Sequence, residues 1–409
     1  MTREAVSPED VERAARALDG RVRHTPVLPA GELSRRVGGR VSLKAENLQL
    51  TGSFKARGAF NALLGMPEGG RGARLVAASA GNHAQAVAFA ARSAGATAKL
   101  VMPAAAPVAK VAAVRQYGGE VLLVDGAIDE AAEVARGIAA DEGRALVHAF
   151  DDPVVVAGQG TVGLELAAQA PGTRLVIVPL GGGGLISGIA IAARPLMDGL
   201  RVVGVQSDAC APYPPSLEAH EPIPARGVNT ICDGIAVKRP GEVTLPLVDR
   251  HVDQVVTVSD DEVAEAMVLL LERSKLVVEG TGAVGVAALL AGKVELPRDG
   301  DTCVVLSGGN VDASLLAECI RMGETSAGRR MVLATTVPDR PGALARLLAL
   351  VAEHDGNVVE VEHLRDGIDL HVRETAIQLV MQTRGPDHSA ELARVVAEEG
   401  FPVRMEREG

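Results

Sequence analysis

Two patterns alternate along most of the chain: short runs of consecutive apolar residues, and stretches in which apolar residues recur every three or four positions. The first predicts buried strands and the second helices. Ser7-Pro8-Glu9-Asp10 combines an N-cap, a proline at the first helical position and early acids, so a helix is expected from there to residue 18. Strand–helix pairs follow: 41–45 with a helix from residue 53, 75–78 with 83–94, 98–102 with 108–117, and 121–124 with a helix from residue 129. Strand 175–180 then precedes helix 184–193, and strand 201–205 precedes a proline-rich loop. Ser259-Asp260-Asp261-Glu262 is a capping box for a helix to residue 274, and strand 304–306 leads into helix 311–322.

The strands are apolar throughout rather than alternating, which is what a parallel sheet covered on both faces requires. Repeated βα units predict an α/β protein with doubly wound open sheets. Residues 323–330 read as a linker. Beyond it the order changes to strand 332–337, helix 342–354, strands 358–365 and 376–383, helix 387–399 and strand 403–405. That βαββαβ order is ferredoxin-like. Two domains are therefore expected: 1–322, with a smaller subdomain of about 46–144 inserted, and 331–409.

Composition narrows the partners. A hydrophobic content of 47% with 23% charged residues allows sizeable cores. A net charge of −11 argues against nucleic acid, and the absence of Trp removes the usual stacking platforms. The acidic first ten residues lack the apolar stretch of a signal peptide, and no apolar run reaches membrane-spanning length. Cys210, Cys232, Cys303 and Cys319 are scattered, as expected of unpaired thiols in a reducing compartment. A cytoplasmic protein is expected.

Four motifs carry candidate chemistry. Gly181-Gly182-Gly183-Gly184-Leu185 follows a buried strand and opens a helix. Backbone N–H groups free of side chains converge there with the helix dipole, which suits a phosphate dianion; a plain glycine-rich turn is the alternative. Thr51-Gly52-Ser53-Phe54-Lys55-Ala56-Arg57-Gly58 places a lysine in the first turn of a helix among small residues. Desolvated near positive helix ends, such an amine has a lowered pKa and can attack an aldehyde. Ser79-Ala80-Gly81-Asn82-His83 and Ser307-Gly308-Gly309-Asn310 each follow a strand, at the end where open sheets bind ligands. One ligand uses all four motifs: pyridoxal phosphate, whose aldehyde takes the lysine and whose phosphate takes the glycines.

In this order and spacing, Ser-Phe-Lys-Ala-Arg-Gly, Ser-Ala-Gly-Asn-His, Gly-Gly-Gly-Gly-Leu and Ser-Gly-Gly-Asn resemble the threonine dehydratase and serine racemase group of fold-type-II pyridoxal phosphate enzymes, over about residues 5–322. Val337-Pro338-Asp339-Arg340-Pro341-Gly342-Ala343-Leu344 looks like the start of an ACT domain, a small amino-acid-sensing module. The resemblance implies that Lys55 holds the cofactor covalently and later moves protons, and that Phe54 packs beside the ring. It implies that Asn82 meets the ring hydroxyl, that Gly181 to Leu185 cradle the phosphate, and that Ser307 is a neutral partner for the pyridine nitrogen. Glu279 lies where the family has a carboxylate near the ring. Ser79, Ala80, Gly81, Asn82 and His83 resemble the substrate carboxylate site. Asp339, Arg340, Pro341, Gly342, Ala343 and Leu344, with Asn357, are expected to contact an amino-acid effector across a homo-oligomeric interface of a dimer or tetramer.

Two departures refine the expectation. Racemase members carry a serine where this chain has Ala80, which has no proton to exchange. Metal-dependent relatives carry a glutamate where this chain has Gln206, and Pro212 stands at the position of a later carboxylate, so no metal site is expected. The leading expectation is threonine ammonia-lyase activity with serine as a side substrate and a role in amino-acid metabolism such as isoleucine biosynthesis. Serine racemase or hydroxyaspartate ammonia-lyase are the alternatives on the same scaffold. A decayed enzyme acting as an amino-acid-binding regulator is the alternative from another class, and the intact Lys55 and glycine loop argue against it.

Overall fold

The apolar runs pair into three sheets in a computed structural model that describes residues 5–365 and 372–405. Residues 1–4, 366–371 and 406–409, the outer ends of both expected domains among them, lie outside the described residues. The chain divides after Asp312 into two units.

In the first unit the strands are β1 (Val27–Pro29), β2 (Val41–Ala45), β3 (Arg74–Ala78), β4 (Thr97–Pro103), β5 (Glu120–Val124), β6 (Ala145–Leu146), β7 (Thr173–Pro179), β8 (Arg201–Ser207), β9 (Gln254–Val258) and β10 (Asp301–Leu306). The large sheet runs β1-β2-β10-β7-β8-β9 and the small one β5-β4-β3-β6. All pairs are parallel except β1 with β2. The large sheet is thus mixed at one edge, where β1 runs antiparallel; at three residues that strand is too short to stand out as an apolar run. The small sheet continues past residue 144 through β6. The expected caps are present: Ser7 caps helix Pro8–Leu18, forming a box with Asp10, and the capping box at Ser259 opens helix Asp260–Leu269, which ends in a π-helical turn at Leu270–Ser274.

Helix Pro153–Gln169 organises this unit, and the apolar period does not reveal it. It is capped by Asp152, whose carboxylate accepts from the Val154 and Val155 N–H groups, with Pro153 at the first helical position. Val155 to Gly163 are buried on every side, so the helix has no polar face to mark it. It lies between helices Lys55–Leu64 and Gly184–Ala193. A methyl on Gly158 would stand 2.8 Å from Gly58 Cα, and one on Gly160 would stand 2.8 Å from the Gly188 carbonyl. Glycine therefore brings the helix of Lys55 and the helix after the glycine loop onto one backbone. Helices Thr244–His251 and Gly280–Leu290 and strand β9 also go beyond the elements expected from the sequence.

In the second unit, helix Ala313–Ser326 runs through the first half of the segment read as a linker. It ends with the Ala327 N–H on the Gly323 carbonyl at 3.0 Å, three residues before the next strand. Strands β11 (Arg330–Pro338), β12 (Asn357–Leu364), β13 (Glu374–Gln382) and β14 (Arg404–Met405) form an antiparallel sheet in the order β12-β13-β11-β14. Helices Ala343–Glu353 and Pro386–Glu398 contribute Leu347, Val351, Leu392 and Val396 to its core. This is the expected ferredoxin-like module. No helix among the described residues is long and apolar enough to cross a membrane.

Candidate active site

Lys55 opens its helix, and the residues before it are tied to the loop after β10. The Phe54 N–H donates to the Ser307 carbonyl at 3.1 Å, the Gly309 N–H donates to the Gly52 carbonyl at 2.9 Å, and Ser53 bridges Gly308. Two of the four motifs are therefore held together by backbone hydrogen bonds. The Lys55 amine donates to the Ala149 carbonyl at 2.7 Å and lies 5.1 Å from the Phe54 ring centre. Burial pushes its pKa down to about 8, against the opposing charge of Glu279. An amine at that value has a sizeable neutral fraction near neutral pH, as attack on a carbonyl requires.

Arg57, two residues on, is fully buried. Its Nε and Nη2 donate to Glu46 at 2.9 and 2.8 Å, and its Nη1 and Nη2 donate to Glu165 at 2.6 and 3.0 Å. Lys44 Nζ donates to the same Glu165 at 2.6 Å. Two cations and two anions balance beneath the Lys55 helix, tying it to the end of β2 and to helix Pro153–Gln169. Arg57 belongs to the lysine motif, but spacing alone does not reveal its carboxylate partners, one 11 and the other 108 residues away.

Gly181 to Gly184 follow β7 and are all buried. Gly183 has φ +90°, a conformation that favours glycine. A methyl on Gly182 would stand 2.1 Å from the Phe150 ring, and one on Gly183 would stand 2.3 Å from Tyr213 Oη. This loop, Leu185, Phe54, Lys55 and Ser307 line one cavity, joined by Ala149, Phe150, Gln159, Gly234, Ile235 and Thr281. Ser307 Oγ is buried and has no hydrogen-bond partner among the described residues. The donor set fits pyridoxal phosphate: an amine of lowered pKa, a glycine loop where side chains would clash, and an uncommitted hydroxyl suited to a ring nitrogen.

Asn82 and Glu279 stand together against Gly308, next to Ser307 of the cavity lining. Asn82 Nδ2 donates to Glu279 Oε1 at 2.7 Å, and Asn82 Oδ1 accepts from Asn310 Nδ2 at 2.8 Å. Burial, then the nearby Asp233 charge, pushes the Glu279 carboxyl up to about 7. In the Ser79–His83 loop, Ser79 Oγ accepts from the Gly81 N–H at 3.1 Å. His83 turns inward, its Nε2 2.9 Å from the Val147 carbonyl, and burial with the nearby Lys55 charge pushes its pKa down to about 3. Its imidazole is therefore neutral; with Nε2 donating to that carbonyl, the unpartnered Nδ1 is left an acceptor and cannot donate to a carboxylate. Lys110 makes an ion pair with Asp233, and its amine lies 3.7 Å from where a Gly81 side chain would begin. Phe150 and Lys110 escaped the sequence reading because neither belongs to a glycine motif; the Asp152-Pro153 helix start was the available signal for Phe150.

In the second unit, Asp339 to Gly342 form the exposed turn after β11, and Gly342 (φ +89°) precedes the helix that Ala343 and Leu344 begin. Asn357 is at the other end of the sheet, since its partner Gln382 also pairs with Arg330. The two parts of the expected effector site are thus separated by the length of β11, roughly 27 Å at about 3.4 Å per residue. One module does not bring them together.

Residues 18–308 match the family described as pyridoxal-phosphate dependent enzyme, and residues 331–401 match the ACT domain. The chain belongs to the pyridoxal-phosphate dependent enzyme family, of fold type II, and carries a C-terminal ACT domain; its cofactor is pyridoxal phosphate. It is 42% identical over 400 residues to the L-threonine ammonia-lyase of Thermotoga maritima, covering 98% of this chain and 99% of that one. It is 41% identical over 314 residues to the catabolic L-threonine dehydratase of Escherichia coli, covering 76% of this chain and 95% of the relative. Among solved structures, a T.th. threonine deaminase has a TM-score of 0.71 at 42% identity, covering 75% of this chain and 99% of that one. Maize serine racemase has a TM-score of 0.74 at 33% identity, covering 77% and 97%.

Proposed function

We propose that this chain is an L-threonine ammonia-lyase that converts threonine to 2-oxobutanoate and ammonia, accepts serine as a second substrate, and is regulated by an amino acid through its ACT domain. The observation that carries this reading is similarity to a relative named L-threonine ammonia-lyase along nearly the whole chain, both units included. Pyridoxal phosphate, when bound, supplies the carbonyl that condenses with an amine and the conjugated ring that accepts the electron pair left at the α-carbon. The residues of the chain do the rest. Lys55 Nζ is the group that takes the α-proton, its lowered pKa making the neutral amine available. The glycine loop orients the cofactor, and Ser307 Oγ offers a neutral hydrogen-bond partner. Water lost from the α and β carbons returns when ammonia is released, so the net change is threonine to 2-oxobutanoate plus ammonia.

Ala80 supports elimination over racemisation. Racemisation needs a proton donor on the face opposite Lys55, and alanine offers none. The test is keto-acid formation from L-threonine, L-serine and 3-hydroxyaspartate, with chiral chromatography of the serine reaction. We expect 2-oxobutanoate and pyruvate with little D-serine. D-serine at a rate rivalling pyruvate, or hydroxyaspartate turned over in preference to threonine, overturns the assignment. For the ACT domain, the proposed effector contacts are those of the Asp339–Leu344 turn; Asn357 joins them only if a second copy brings it there, as the expected homo-oligomeric interface would.

A further inference from the structure

The N–H groups that face the cavity are aimed by side chains behind the glycine loop. In a planar trans peptide the N–H points away from the carbonyl of the same unit. The Leu180 carbonyl accepts from Gln206 Nε2 at 3.1 Å. The orientation of that amide is set from its other end, because Oε1 accepts from the Tyr213 N–H at 3.0 Å and that group can only donate. The Gly182 carbonyl accepts from Thr244 Oγ1 at 2.6 Å. Gln206 and Thr244 do not line the cavity that these glycines border, so each carbonyl is drawn toward a residue outside it and the N–H of the same peptide unit, on Gly181 and on Gly183, is turned the opposite way. Neither N–H has a protein acceptor among the described residues.

The anchors are themselves held. Gln206, Tyr213 and Thr244 are fully buried. Tyr213 Oη lies 3.4 Å from Thr244 Oγ1 and packs against Gly183. Asp151 takes the N–H groups of Glu242, Val243 and Thr244 at 3.0, 2.9 and 3.0 Å, fixing the helix start from which Thr244 projects. We infer that Gln206 and Thr244, steadied by Tyr213 and Asp151, are positioning residues that preorganise the Gly181 and Gly183 N–H groups for the cofactor's phosphate. These contacts act on the phosphate alone, whichever amino acid is the substrate.

The test separates phosphate recognition from general folding. Apoenzyme carrying Thr244→Val keeps the side-chain shape and loses the donor. Its dissociation constants for pyridoxal phosphate, for inorganic phosphate and for pyridoxal without the phosphate are measured by fluorescence titration. We expect affinity for pyridoxal phosphate and phosphate to fall about tenfold or more, and affinity for pyridoxal to stay unchanged. Thr244→Ser should restore it. Gln206→Glu, which replaces the Leu180 donor with an oxygen, should show the same selective loss and carries the comparison if Thr244→Val does not fold. Unchanged phosphate affinity in these variants, or a parallel loss for pyridoxal, overturns the inference.

Discussion

Gly182→Ala isolates one contact at the cofactor site. Gly182 is not in the left-handed region, so alanine there meets no positive-φ strain and its methyl is the perturbation. Its methyl would stand 2.1 Å from Phe150 Cγ and 2.3 Å from both Cδ atoms, far inside contact distance. The ring cannot simply withdraw. The Phe150 N–H donates to His148 Nδ1 at 3.3 Å, and the ring packs edge-on against His148 with centres 4.8 Å apart. The next residue, Asp151, holds three backbone N–H groups. The glycine loop must therefore give way. Overpacking of this kind costs about 1–3 kcal/mol, which corresponds to roughly 5- to 150-fold weaker cofactor binding if the loop bears the strain. Equilibrium titration of apoenzyme with pyridoxal phosphate reads this directly. Phe150→Ala removes the obstacle, so adding Gly182→Ala to it should cost little further. Wild-type affinity in Gly182→Ala, or a full additional loss in the double variant, would refute the steric argument.

Three further outcomes concern the lysine and its surroundings, and a fourth the ACT domain. Lys55→Ala should bind cofactor without covalent attachment, and borohydride should then label no lysine; retained labelling would place the attachment elsewhere. Because burial sets the Lys55 pKa at about 8, the neutral amine is the minor form below that pH and the major form above it, so cofactor attachment to apoenzyme should speed up about tenfold from pH 7 to pH 9 and level off there; a rate still climbing steeply above pH 9 would indicate an unshifted lysine. Arg57→Met leaves Glu46 and Glu165 buried with less compensation and should destabilise the first unit by about 3–5 kcal/mol in denaturant melts with saturating cofactor, whereas a loss below about 1 kcal/mol would mean the cluster behaves like an exposed pair. Removing residues 327–409 should preserve threonine turnover and abolish any response to branched-chain amino acids; identical effector curves in both proteins would deny the ACT domain a regulatory role.

What the sequence determined by itself is local. Strand, glycine loop and helix around Gly181, the caps at Ser7 and Ser259, and the βαββαβ order after residue 330 all follow from backbone preferences and periods within a dozen residues. The four motifs were legible because glycine, lysine and amide residues at strand ends are few and lie at fixed offsets. Tertiary structure decided what distance hides. Helix Pro153–Gln169 has no amphipathic period because it is buried all round from Val155 to Gly163, yet it packs between the Lys55 helix and the helix after the glycine loop. Arg57 found its carboxylates 11 and 108 residues away. Thr244 reached Gly182 across 62 residues, and β11 held Asn357 apart from the Asp339 turn. These pairings depend on which elements pack side by side, and that is set by burial of whole faces rather than by any spacing along the chain.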